Sequence, residues 1–110
     1  MIALVGWGGM AEQICTPAAK CIAMPDDMPF DIGATFILTY GTSWHALNDR
    51  AALKAGETVL VLGAAGGVGT AAIQIAKAAG ARVIAAASTD EKCALCKSLG
   101  ADETINYTTQ

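Results

Sequence analysis

The segment Gly63-Ala64-Ala65-Gly66-Gly67-Val68-Gly69 follows the apolar run Thr58-Val59-Leu60-Val61-Leu62 and opens an alanine-rich helical pattern. A strand that ends in a glycine-rich turn and leads directly into a helix is the first half of a β-α-β unit. Such a turn aims the backbone N–H groups of the helix N-terminus at an anion, and the helix dipole adds partial positive charge there. The pattern reads as a dinucleotide-binding turn.

In the G-x-G-x-x-G frame, Gly66 and Gly69 hold the second and third glycine positions, and Ala64 stands in place of the first. Gly66 lets the backbone approach a pyrophosphate, Gly69 allows tight helix-to-strand packing, and the Gly67 and Val68 amides are candidate donors. The plain alternative is that the glycines only turn the chain. No Gly-Lys-Ser/Thr follows and Lys77 lies well inside the helix, which argues against a P-loop. A methyltransferase shares this kind of turn, but its second strand would end in an acidic residue, where Ala87-Ser88 stands here.

The same missing carboxylate bears on the nucleotide. An acidic residue about 20 positions after the turn pairs with the free 2′-OH of NAD. Ser88 occupies that place, so a 2′-phosphate could bond Ser88 and Thr89 and meet the charge of Lys92. This favours NADPH over NADH. Simple helix capping by Ser88 or Thr89, with Lys92 in solvent, is the competing account. Asp90 and Glu91 count against a phosphate unless their side chains turn away.

The remaining pattern supports an α/β fold. Residues 1–23 alternate short apolar runs with Gly6-Trp7-Gly8-Gly9 and Thr16-Pro17, which predicts two or three short strands. Pro25-Asp26-Asp27-Met28-Pro29 is a turn cluster, after which Asp31 is expected to cap a short helix through Leu38. Thr42 or Ser43 is expected to cap a second helix through Leu53, ended by Lys54-Ala55-Gly56. Val68, Ala71, Ala72, Ile75, Ala76 and Ala79 then form a helical stripe that closes at Gly80. Arg82 to Ala87 reads as the next strand, Glu91 to Leu99 as a helix closed by Gly100, and Glu103 to Ile105 as a third strand. Strands alternating with helices imply right-handed crossovers and a parallel sheet, the first half of a doubly wound fold. In the usual strand order, Thr58 to Leu62 lacks one neighbour, and the exposed edge predicts aggregation, domain swapping or folding only with further parts.

With 110 residues the chain is at most one ordinary domain, and a fragment is possible. Seven Lys and Arg against ten Asp and Glu, without a basic cluster, argue against nucleic acid or an anionic membrane as partner and leave a small molecule. Met1-Ile2-Ala3-Leu4-Val5 lacks a basic region and a cleavage-type sequence, and no apolar run reaches membrane-spanning length. A soluble, cytoplasmic protein is expected. The four cysteines, 15, 21, 93 and 96, are not spaced as a zinc site and read as free thiols, so no metal is expected.

Gly6-Trp7-Gly8-Gly9-Met10-Ala11-Glu12, Tyr40-Gly41-Thr42-Ser43, the glycine turn and Leu99-Gly100-Ala101-Asp102, taken in order, closely resemble the medium-chain dehydrogenase/reductase superfamily. The nearest branch is similar to the zinc-independent quinone oxidoreductases, or zeta-crystallin-like reductases. The resemblance covers essentially the whole chain but only the middle of such a protein. It implies that residues 1–30 are the last strands of a GroES-like catalytic domain and residues 31–110 the first three strands of a Rossmann domain. By position it places Thr42 near the nicotinamide, Ala65, Gly66, Gly67 and Val68 on the pyrophosphate, and Ser88, Thr89 and Lys92 in the 2′-phosphate loop. Tyr107 matches an aromatic residue near the adenosine end, or is an ordinary strand-end tyrosine.

The implied activity is NADPH-dependent hydride transfer to a quinone or activated alkene, in a full-length homodimer, with no residue here assignable as general acid. An enoyl-thioester reductase or alcohol dehydrogenase-like member is the enzyme alternative; a nonfunctional or structural remnant is the other. His45, the sole histidine, reads as a surface or inter-domain contact, and Trp44 and Trp7 as packing residues.

Overall fold

The computed structural model describes residues 1–109. The chain forms two compact units, Met1–Leu38 and Thr39–Gln110. In the first, β1 (Ile2–Ala3) pairs antiparallel with β2 (Cys21–Ile22), Ile2 opposite Ile22 and Ala3 opposite Cys21. A 3-10 turn at Ala18–Lys20 leads into β2. The two short strands fulfil the lower end of the sequence expectation. Gly33 alone is buried among these residues, and Trp7 and Met10 stand in solvent.

Helix α1 runs without interruption over Phe30–Trp44, and a π-helical segment, His45–Arg50, continues it. This corrects the expected pair of capped helices. Asp31 lies inside the first turn rather than at the cap, and Thr42 and Ser43 sit within the helix. Hydroxyl residues mark a helix start only where the backbone breaks, and no proline forces a break after Leu38. The Ser43 hydroxyl is used on another helix instead, as described below.

The second unit is a parallel sheet, β3 (Thr58–Leu62), β4 (Arg82–Ala87) and β5 (Glu103–Asn106), in that spatial order. Val61 lies beside Ala85, and Ala85 beside Thr104. Helices α2 (Gly67–Ala78) and α3 (Asp90–Ser98) supply Ile73, Ala76 and Cys96 to one core with Val61, Val83 and Ala85. Side chains alternate across a strand, so both helices cover the face that carries Val61, Val83 and Ala85. The other face is open along β3: Leu60 is 55% and Leu62 74% exposed, and no strand flanks β3 on its far side among the described residues.

The buried line of α2 is Gly69, Ala71, Ile73 and Ala76. The expected stripe omitted Ile73, which is fully buried, and included Val68, which is exposed. The reason is local. A Cβ on Gly69 would meet the Ala64 Cα and O at 2.7 Å, so Gly69 must face the strand end, and Ile73 and Ala76 follow it at i+4 and i+7 on that side. Cys93 and Cys96 are buried free thiols, with burial first and Cys93 second pushing the Cys96 thiol up. Trp7 and Trp44 are both exposed, at 93% and 57%, against the packing role expected of them.

Behind the sheet, Asp102 ties α2 to the strands. Its Oδ2 accepts from Val83 N at 2.7 Å, and Lys77 Nζ lies 2.9 Å from both carboxylate oxygens. The same ammonium donates to Ala81 O at 3.2 Å. The Val83 N–H and then Lys77 hold the Asp102 carboxyl below the usual carboxylate range.

Candidate functional site

The glycine turn lies at the C-terminal end of β3, where open parallel sheets place their ligands. Gly63 has φ 61°, a left-handed conformation that favours glycine, and its carbonyl accepts from Gly66 N at 3.0 Å. Ala64 is fully buried, and its N–H continues the parallel ladder to Ala86 O at 3.0 Å. The missing first glycine therefore costs nothing: the left-handed residue sits one position earlier, at Gly63. The G-x-G-x-x-G frame, aligned on Gly66 and Gly69, assigns no role to Gly63.

Gly66 is the N-cap of α2, with φ −78° and ψ 163°, and no side chain caps this helix. The first-turn amides are consequently left for another acceptor. Thr70 N bonds Gly66 O at 2.8 Å, and the Thr70 hydroxyl bonds Gly67 O at 3.0 Å. These contacts fix the turn's carbonyls while leaving its leading N–H groups at the mouth of the sheet.

Beside the turn, Gly63, Ala65, Ala87, Ser88, Lys92 and Tyr107 line one open cleft of about 60 Å³. Several waters fit in such a space, since one needs about 10–15 Å³. It matches a single phosphate-sized group, not a whole nucleotide. Lys92 Nζ donates to Ser88 Oγ at 3.2 Å, which brings an ammonium and a hydroxyl to the same wall. Thr89 caps α3 by accepting from Lys92 N at 3.3 Å and does not line the cleft. Capping and cleft-lining are thus divided between the two neighbours.

Asp90 is not among the residues that line the cleft; its Oδ1 accepts from Asn106 Nδ2 at 2.7 Å. Asn106 is itself buried, and its Oδ1 accepts from Thr108 N at 3.1 Å. The Thr108 hydroxyl in turn donates to Ser88 O at 2.9 Å, closing the β5 end onto the Ser88 loop. Tyr107 N bonds Ala87 O at 3.2 Å, which holds the tyrosine against the cleft. Sequence reasoning placed Ala87 at the end of the second strand but gave Asn106 no role; their place beside the cleft follows from the neighbouring ends of β4 and β5.

The cleft thus gathers Ala65, Ser88, Lys92 and Tyr107, with Gly66, Gly67 and Val68 next along the turn. Thr42 does not line it. It lies in α1 beside Ser43, whose hydroxyl donates to Val68 O at 2.7 Å. His45 is likewise apart from the cleft, with Nδ1 2.8 Å from Asp49 Oδ2 on an exposed surface. Among the described residues no three His, Cys, Asp or Glu side chains are grouped to hold a metal, and no helix is long and apolar enough to cross a membrane.

A family profile described as zinc-binding dehydrogenase matches residues 67–110. The chain is 42% identical over 108 residues to quinone oxidoreductase-like protein 2 of Bos taurus, covering 97% of this chain and 31% of the relative. Among solved structures, the quinone oxidoreductase of Thermus thermophilus, described also in complex with NADPH, superposes with TM-score 0.87 at 43% identity. That match covers 93% of this chain and 34% of the other. The CurK enoyl reductase superposes with TM-score 0.78 at 39% identity, covering 86% of this chain and 28% of that one. The chain therefore spans about a third of the length of the proteins it matches.

Proposed function

We infer that this chain, which belongs to the medium-chain dehydrogenase/reductase superfamily, supplies the pyrophosphate- and 2′-phosphate-binding half of an NADPH site in an oxidoreductase. The reading rests most heavily on the wall formed by Lys92 Nζ and Ser88 Oγ, 3.2 Å apart, with Asp90 drawn off to Asn106. An ammonium and a hydroxyl at the end of β4 suit a 2′-phosphate, and a carboxylate suited to the 2′-OH of NAD is absent from that position. The uncapped first turn of α2 suits the pyrophosphate. NADPH, when bound, supplies the hydride.

In this reading residues 1–30 are the last strands of a GroES-like catalytic domain and residues 31–110 the first half of the nucleotide domain. Thr42 faces the nicotinamide end and Tyr107 the adenosine end. The acceptor is a quinone or activated alkene, handled without zinc in a soluble, cytoplasmic, homodimeric enzyme. By itself the 110-residue chain does not turn over substrate. The CurK likeness favours one second reading, an enoyl-thioester reductase, which uses the same nucleotide site.

Titration of the chain with NADPH and NADH, followed by the fluorescence of exposed Trp44 and Trp7, tests the reading. Saturable quenching stronger for NADPH is expected. No saturation with either nucleotide removes the proposal, and tighter NADH binding overturns the roles of Ser88 and Lys92.

A further inference from the structure

Ser43 is 1% exposed, yet it carries a hydroxyl that the reading above leaves without a role. Its Oγ donates to Val68 O at 2.7 Å, across 25 residues of sequence, from α1 to the first turn of α2. Two neighbours on the same stretch of α1 meet α2 as well. A Cβ on Gly67 would lie 3.1 Å from Thr39 Cγ2, so the helix start packs closely on Thr39. Tyr40 OH donates to Gln74 Oε1 at 2.8 Å, two turns further along α2.

We propose that Ser43 is a positioning residue for the nucleotide turn, holding the Gly69 amide, and through it the first turn of α2, in the direction a pyrophosphate requires. This rests on the nucleotide-binding reading and deepens it. The peptide unit is a rigid plane in which C=O and N–H point in opposite directions. Val68 O and Gly69 N–H share one such plane, so fixing the carbonyl fixes where the amide points. The Thr70 hydroxyl does the same for the preceding plane through Gly67 O, which sets the Val68 N–H. A carbonyl has two lone pairs, so Val68 O accepts from Ser43 without leaving the helical ladder. The brace aligns the donors, and its loss leaves the helix itself in place.

Positioning and plain stability are separable by experiment. Ser43→Ala is compared with Ile73→Val, a core substitution in the same helix that removes no hydrogen bond of the turn and lowers stability modestly. NADPH affinity is read by fluorescence titration of the full chain, and amide hydrogen exchange at residues 67–69 is read without nucleotide. Ser43→Ala is expected to weaken NADPH binding about tenfold and to speed exchange at residues 67–69 by a similar factor, with unchanged far-UV circular dichroism. Ile73→Val is expected to leave affinity unchanged. Wild-type binding matched by Ser43→Ala overturns the brace and spares the functional reading, as does unaltered exchange in the turn. Absence of saturable NADPH binding to the wild-type chain overturns the functional reading and the brace's role in it.

Discussion

Residues 1–38 and 39–110 contain apolar residues in abundance, but they spend them differently. In the first region two strands of two residues each form one short antiparallel pair, and the large side chains of Leu4, Trp7, Met10 and Phe30 remain exposed. In the second, mostly small residues such as Ala64, Ala76, Ala81 and Ala85 close a core around Val61, Ile73, Val83 and Cys96. Burial therefore does not track hydrophobicity here. It tracks the availability of a second layer: the parallel sheet has α2 and α3 against one face, whereas a single short ladder offers nothing to pack against. The open face of the sheet repeats the lesson, since Leu60 and Leu62 stay exposed while Val61 between them is buried.

The contrast breaks most sharply at two glycines. Gly69→Val is expected to cost about 3 kcal/mol or more, because the new Cβ meets Ala64 backbone at 2.7 Å. Gly33→Ala in the first region brings its Cβ to 2.6 Å from Met24 Sδ, but a flexible side chain can move aside, so urea unfolding monitored at the second region should shift by less than about 0.5 kcal/mol. Equal losses would mean that the first region is as tightly specified as the second.

A smaller difference is expected at large side chains. Ile73→Ala should cost about 3 kcal/mol in the same unfolding assay, whereas Met10→Ala should fall within about 0.5 kcal/mol of wild type. Lys92→Ala should leave the core untouched and weaken NADPH about tenfold, with little change for NADH. Nucleotide titrations check this, and equal weakening of both ligands would detach Lys92 from the 2′-phosphate.

The mildest effect concerns acid. Asp102 has a folded-state pKa lowered by the Val83 N–H and then by Lys77. A depressed carboxyl contributes stability above its unfolded value near pH 4 and loses that contribution as pH falls through the lower folded value. Acid unfolding of the second region should accordingly be less steep below about pH 4 in Asp102→Asn than in wild type. Identical acid profiles would show that the Lys77–Asp102 tie does not couple protonation to stability.

Much of the second region was legible because its signals are short-range. Thr58–Leu62 and Arg82–Ala87 are apolar runs bounded by turn residues, and both strands appear at those limits. Ser88 or Thr89 is expected to cap α3, and the structure forms the cap at Thr89. Errors arose where one local signal has two uses. Thr42 and Ser43 look like caps, but in an unbroken helix a buried serine can donate elsewhere, as Ser43 does to Val68 O. Ala-rich α2 offers weak contrast between faces, so the stripe was misplaced until Gly69 set the rotation. Likewise, sequence names Asp90 and Lys92 as neighbours, but only the placement of Asn106 decides that the carboxylate leaves the cleft.

By itself the sequence determined the βαβαβ order, the glycine turn and the serine and lysine at the end of the second strand, because spacing and residue type suffice for each. Tertiary structure decided which helical face is buried, where Asp90 points, how Ala64 replaces a glycine and what Ser43 holds. Each of these depends on an atom contributed from far along the chain, and no local pattern encodes the distance at which two such atoms meet.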